Sequence, residues 1–244
     1  MCDTCGCSLN SETSIASLPE TKLDVANLAV RLLHANDHEA EHNREHFDRH
    51  GVLAVNLMSS PGSGKTSLLE ATIEALSPTV RIAVIEGDLE TENDAERIRK
   101  KGVPAIQICT GTACHLDASM VHHALHEIDL EAIDLLFIEN VGNLVCPASF
   151  DLGHHASAIL LSVTEGDDKP AKYPVMFRDA DLVLISKCDL KEAVGDFETE
   201  RATQAIRDLA NPAPIAEISA RTQRGIEPWL EWLRAALDNK RAAA

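Results

Sequence analysis

The segment Ser59-Ser60-Pro61-Gly62-Ser63-Gly64-Lys65-Thr66 carries the strongest chemical signal in the chain. It follows the aliphatic run VLAVNLM and leads into a helical stretch through Ser67, Leu68, Leu69 and Ile73. A strand, a glycine-containing loop closing on Lys and Thr, and then a helix form the context of a Walker A phosphate loop. The backbone N–H groups around Gly62, Ser63 and Gly64 would curl about the β-phosphate at the helix N-terminus. Lys65 would reach the β- and γ-phosphates, and the Thr66 hydroxyl would ligate Mg²⁺. The strict pattern has Gly where Ser59 stands; Gly62 and Gly64 still permit the close approach of backbone to phosphate.

Further nucleotide elements sit where such a loop needs them. The run VRIAVIE ends at Glu86-Gly87-Asp88, and DLLFIE ends at Glu139-Asn140-Val141-Gly142. Asp88 and Glu139 are placed to hold Mg²⁺ through its waters, Glu86 less so, and the Gly142 N–H to sense the γ-phosphate. Asp88 and Glu139 join Lys65 as the candidate catalytic groups, Asp88 positioning either the attacking water or the metal. DLVLIS runs into Ser186-Lys187-Cys188-Asp189. A carboxylate there accepts hydrogen bonds from guanine N1–H and the exocyclic amine, a donor pair adenine lacks, while the Lys187 stem packs on the ring. Ser219-Ala220 supplies the companion backbone contact to the guanine oxygen. Ser186 stands where an Asn usually braces the phosphate loop, which predicts a weaker grip on guanine.

Two groups of soft ligands stand apart from these. Cys2, Cys5 and Cys7 form a CxxCxC run on a short peptide, where three thiolates can converge on one soft cation. A redox pair is the rival reading, but a thioredoxin-like CxxC needs a strand-to-helix setting that this segment lacks. Cys114-His115 follows the run AIQIC, and Cys146 follows Gly142 closely, so the three belong at one sheet edge near the γ-phosphate. Three ligands leave a site open; sharing between two copies would close it, with closure depending on nucleotide. The alternative is two isolated cysteines and a capping histidine. Cys109 and Cys188 read as small apolar fillers.

The elements that must position these groups are seven short aliphatic runs (VLAVNLM, VRIAVIE, AIQIC, DLLFIE, AILLSV, DLVLIS, PIAEIS) separated by amphipathic stretches. They predict an α/β fold with a mostly parallel sheet, helices on both faces and ligands at the carboxyl ends of the strands. The expected organisation is a flexible metal-binding tail over 1–22, a His-rich helix over 23–50 and a P-loop GTPase domain over 51–244. On that helix His34, His38, His42, His46 and His50 recur every fourth residue, a stripe in which neighbouring imidazoles could share an ion. A solvated helix face is the plainer reading.

Composition narrows the function classes. The chain of 244 residues has 22 Lys and Arg against 39 Asp and Glu, a formal charge of −17. This argues against nucleic acid or an anionic membrane as partner. No run of about 18 apolar residues is present. Seven cysteines, three of them within six residues, fit metal ligation in a reducing compartment better than a disulfide framework, so a cytoplasmic location is expected.

Together, the CxxCGC segment, NLMSSPGSGKTSLLE, Cys114-His115, ENVGNLVCPASFDLG and LLSVTEGDDKPAKYPVMFRDADLVLISKCDL resemble the nickel-incorporation GTPase of nickel–iron hydrogenase maturation, the HypB family. The resemblance extends from Cys2 to about Trp232. It implies a SIMIBI-like P-loop NTPase fold and slow GTP hydrolysis with Mg²⁺. It further implies nickel at Cys2, Cys5 and Cys7, and nickel or zinc at Cys114, His115 and Cys146 in a nucleotide-favoured homodimer. The implied partners are a zinc-binding maturation protein and the hydrogenase large-subunit precursor. The rivals are a nickel or zinc storage protein with incidental GTPase activity, and a related accessory GTPase for urease or a cobalamin enzyme. The cysteine-rich segment and Cys114-His115 speak against the last two. No arginine finger and no general base can be assigned.

Overall fold

The computed structural model describes the backbone of residues 25–88 and 93–243, and the side chains of these from residue 32 on. Cys2, Cys5 and Cys7 lie outside the described residues. All seven expected strands form: β1 (Leu53–Ser59), β2 (Ile82–Asp88), β3 (Ala105–Cys109), β4 (Leu135–Glu139), β5 (Ala156–Ser162), β6 (Leu182–Ser186) and β7 (Ile215–Glu217). They pair in one parallel sheet in the order β3-β2-β4-β1-β5-β6-β7. The runs are continuously apolar because both faces are covered. Val55, Leu57, Val84 and Phe137 pack on one face against α2 (Lys65–Leu76) and the helix Glu227–Ala243. Ala54, Ile85, Leu136 and Ile138 pack on the other with Phe47 and Val121. These last two come from α1 (Val25–His50) and α4 (Ala118–Leu125). A short α3 (Asn93–Arg99) connects β2 and β3.

The His-rich helix is docked on the sheet and on α4. It ends at Gly51, whose φ of +66° turns the chain into β1. Asn36 and Asn43, both buried, grip the start of α4 from opposite sides. Asn36 Oδ1 accepts from the Ala118 N–H at 2.9 Å, and Asn43 Nδ2 donates to the Ala118 carbonyl at 2.8 Å. A Cβ on Gly153 would lie 2.4 Å from the Ala40 carbonyl oxygen, so the helix backbone needs glycine there.

Register decides what meets at the carboxyl edge. Glu86 pairs with Glu139 across β2 and β4, Ser162 with Ser186 across β5 and β6, and Asp88 with Cys109 across β2 and β3. Cys109 is exposed, a correction to its reading as a filler. It closes the edge strand of the sheet, where the aliphatic run outlasts the cover.

Candidate nucleotide site and metal centre

The phosphate loop joins β1 to α2 through Gly62 and Gly64 at φ +73° and +98°, left-handed backbone that a side chain would strain. Lys65 folds back so that its Nζ lies 3.1 Å from Ser59 Oγ and 3.8 Å from Glu139 Oε1. Ser59 thus gives the ammonium an acceptor that glycine would lack. Thr66 Oγ1 donates to Glu139 Oε1 at 3.0 Å. Lys65, Thr66 and Glu139, with Asp88, Gly142 and Lys187, line a cavity of about 490 Å³.

Because register sets Glu86 beside Glu139, two carboxyls are buried side by side at this cavity. Glu86 Oε1 and Glu139 Oε2 have no hydrogen-bond partner among the described residues. Burial and the adjacent Glu139 charge push the Glu86 carboxyl well above the usual range. Burial also raises Glu139, against the pull of the Lys65 ammonium. Hard oxygen donors short of partners, beside the Thr66 hydroxyl and Asp88, suit Mg²⁺.

A second cavity of about 250 Å³ adjoins the first, sharing Gly64, Ser67 and Lys187 with it. Asp189, Ser219 and Ala220 line it, with Leu190 and Ile218 as an apolar floor. Polar at one end and apolar at the other, the joined trough has the form a nucleotide needs. The Asp189 carboxylate is held below its usual range by Ser219 and by Arg221, whose Nη2 donates at 2.6 Å. The Ser219 N–H is taken by the Arg224 carbonyl at 2.8 Å, so of the two expected contacts Ala220 is the better placed to meet a base oxygen.

Ser186 does not leave the phosphate loop unbraced. Its buried hydroxyl donates to the Ser63 carbonyl at 2.7 Å, a side-chain brace made without Asn. Cys188 is buried, with its thiol pushed up by burial, as a filler should be.

Cys114 Sγ lies 2.8 Å from Cys146 Sγ and 3.8 Å from His115 Nδ1, both sulfurs being free thiols. The ligand atoms of all three residues fall within 4.8 Å of one another. His115 stacks on Phe150 at 3.9 Å between ring centroids. The Cys114 thiol and burial push Cys146 above its ordinary value, and burial lowers His115, so its lone pair is available.

Comparison with known proteins places the chain. Residues 53–217 match the CobW/HypB/UreG nucleotide-binding domain. The hydrogenase maturation factor HypB of Azotobacter vinelandii is 52% identical over 202 residues, covering 83% of this chain and 66% of that protein. The chain belongs to the HypB family. The crystal structure of HypB from Helicobacter pylori in complex with nickel is similar at a TM-score of 0.79 and 44% identity, over 85% of this chain and 96% of that one. HypB from Archaeoglobus fulgidus follows at 0.78 and 45%, over 84% and 100%.

Some residues of this HypB-family site escaped sequence reasoning. Asn140 Oδ1 accepts from the Leu116 N–H at 3.1 Å, and Asn143 Nδ2 donates to the Cys114 carbonyl at 3.3 Å. Their signal was two asparagines flanking a glycine between a candidate magnesium ligand and a candidate thiolate. Arg97 lines the phosphate cavity, tied to Glu70 at 2.7 Å and Asp94 at 2.8 Å; no motif marked it.

Two measurements check this geometry. Ser186→Ala strands the buried Ser63 carbonyl, and the expected result is GDP affinity lower by about 1–2 kcal/mol in a titration; unchanged affinity contradicts the brace. Glu86 is protonated in the folded chain far above its unfolded value. Its stabilising contribution is therefore complete below the ordinary carboxylate range and declines as pH rises toward the raised value. Between pH 5 and 8.5 the Tm of the nucleotide-free, metal-free chain is expected to fall less in Glu86→Gln than in wild type.

Proposed function

We propose that this chain is a GTP-hydrolysing metallochaperone that binds nickel and delivers it to the precursor of the nickel–iron hydrogenase large subunit. The reading is carried by one observation: the segment 139–146 begins at Glu139 in the phosphate cavity and ends at Cys146 in the thiol pair. Between them, Gly142 rests on the phosphate loop, where a Cβ would come within 2.7 Å of Pro61 Cα, and Asn143 holds the Cys114 carbonyl.

In this account Asp189 accepts from guanine N1–H and the exocyclic amine, the exposed Arg221 giving way, and the Lys187 stem covers the ring. Water attacks the γ-phosphorus as the bond to the β–γ bridging oxygen breaks, giving GDP and phosphate. Lys65 and the loop N–H groups stabilise the charge that grows on the leaving oxygen. Thr66, Asp88 and Glu139 would hold Mg²⁺, which would neutralise phosphate charge there. Asp88, at the end of β2, orients the attacking water.

The γ-phosphate lies where Gly142 meets Pro61, so its presence or loss shifts the segment that positions Cys146 and, through Asn143, Cys114. The ligand set Cys114, His115 and Cys146 then alternates between tight and loose grip on nickel. Three ligands leave the coordination open, and Val145, 58% exposed beside Cys146, offers an apolar surface for a second copy. We assign closure to a GTP-favoured homodimer. A relative crystallised with nickel supports the choice of metal. Cys2, Cys5 and Cys7 form the acquiring site, and a zinc-binding maturation protein is the companion in delivery. No described helix is long and apolar enough to cross a membrane, in keeping with action in the reducing cytoplasm.

The test is transfer. Nickel-loaded full chain mixed with large-subunit precursor is expected to pass nickel on with GTP and Mg²⁺ and not with GDP. Lys65→Ala is expected to lower GTP turnover about a hundredfold and transfer with it. Undiminished transfer by Lys65→Ala overturns the proposal.

A further inference from the structure

Three imidazoles from two helices converge outside the sites described above. His42 and His46 lie one turn apart on α1, and His122 reaches them from α4. Ring centroids are 4.7 Å apart for His42–His46, 5.0 Å for His42–His122 and 5.8 Å for His46–His122. One ring nitrogen of each lies within 4.8 Å of the others. The every-fourth-residue stripe on α1 is thus narrowed to two of its five members, completed by a residue far away in sequence.

The hydrogen-bond pattern fixes the tautomer of His122. Asn43 is fully buried, and its Nδ2 donates to the Ala118 and Leu152 carbonyls at 2.8 and 3.2 Å. Its Oδ1 is therefore the acceptor, 3.1 Å from His122 Nδ1. That nitrogen must carry the hydrogen, which leaves the lone pair on Nε2. An amide or carboxylate bonded to the far nitrogen is the usual support of a metal-ligating histidine. Glu39 adds a carboxylate, its Oε1 3.5 Å from His122 Nδ1 and 3.8 Å from His42 Nδ1. Burial holds His46 and His122 below the ordinary histidine value, against the pull of Glu39 at His122. An open cavity of about 320 Å³ beside His46 and His122 gives an ion a way in.

We propose that His42, His46 and His122 form a site for one borderline divalent cation, Ni²⁺ or Zn²⁺, with water in the remaining position. Imidazole suits both ions, and three protein nitrogens with one exchangeable position make a site that binds and releases. The site shares no residue with the centre at Cys114, His115 and Cys146. It bridges α1 to α4, whose first residue Ala118 follows the Cys114-His115 loop and is already gripped by Asn36 and Asn43. An ion there fastens the helix to the domain just downstream of the thiol centre.

The inference does not rest on nickel delivery, and its test removes the cysteines assigned to the other two metal sites. In an untagged full chain with Cys2, Cys5, Cys7, Cys114 and Cys146 replaced by Ser, Co²⁺ titration is expected to give one bound equivalent. Its ligand-field bands should be those of nitrogen and oxygen donors, with no thiolate charge transfer, and Ni²⁺ and Zn²⁺ should displace it. In that background His42→Gln is expected to weaken binding about tenfold or more, at least what loss of a supporting partner of a ligating histidine does. His42 has a side chain 47% exposed, so this replacement spares the packing. His46→Gln with His122→Gln should abolish the equivalent, and His34→Gln with His38→Gln should leave it. No bound equivalent in the chain with those five cysteines replaced, or binding unchanged by His42→Gln, overturns the proposal. Failure of the wild-type chain to pass nickel to the precursor, while this equivalent is bound, counts against the delivery reading alone.

Discussion

The segment from Glu139 to Cys146 is the constraint on which the rest of the structure turns. It leaves the carboxyl edge of a parallel sheet at the strand next to the phosphate loop and ends against a thiol of another loop. Its middle is pinned on both sides. Gly142 touches Pro61, while Asn140 and Asn143 bind the backbone at Leu116 and Cys114. Gly87, in β2, presses on the Leu116 side chain, where a Cβ would fall within 2.8 Å. The separation between nucleotide and thiols is therefore set by backbone contacts, and movement at one end has a physical route to the other.

Each end of the segment is poised for a cation. At one, two carboxyls with raised proton affinity share a buried edge; at the other, two thiols lie in contact with the ionisation of Cys146 disfavoured. Burying such groups together is costly for the bare chain and becomes favourable once positive charge arrives. A fold that keeps both arrangements has given up stability at the two places where its function needs ligands.

Much of this was legible in the sequence. Strands buried on both faces read as unbroken aliphatic runs, and the strand–loop–helix context of Lys65 and Thr66 pointed to residues that line a cavity at the carboxyl edge. The rule that ligands gather at carboxyl ends of parallel strands put Cys114, His115 and Cys146 on one edge, where they meet. What stayed hidden depends on contacts between distant segments. The hydroxyl of Ser186 reaches the loop that a longer side chain was thought to be needed for. Cys109 is bare because β3 is an edge, which a run of aliphatics cannot reveal. His122 joins His42 and His46 only because Asn36 and Asn43 dock α1 on α4.

The most direct test of the coupling is nickel affinity at the thiol centre in two nucleotide states. With Cys2, Cys5 and Cys7 replaced by Ser, Ni²⁺ is titrated against the chain bound to GDP or to a non-hydrolysable GTP analogue, read by thiolate-to-nickel charge-transfer absorption. The account predicts affinities that differ by about 1–3 kcal/mol, the range of ordinary allosteric coupling, and a difference that shrinks in Asn143→Ala. Equal affinities in the two states would contradict it, because a nucleotide that binds both arrangements equally cannot drive metal from one to the other.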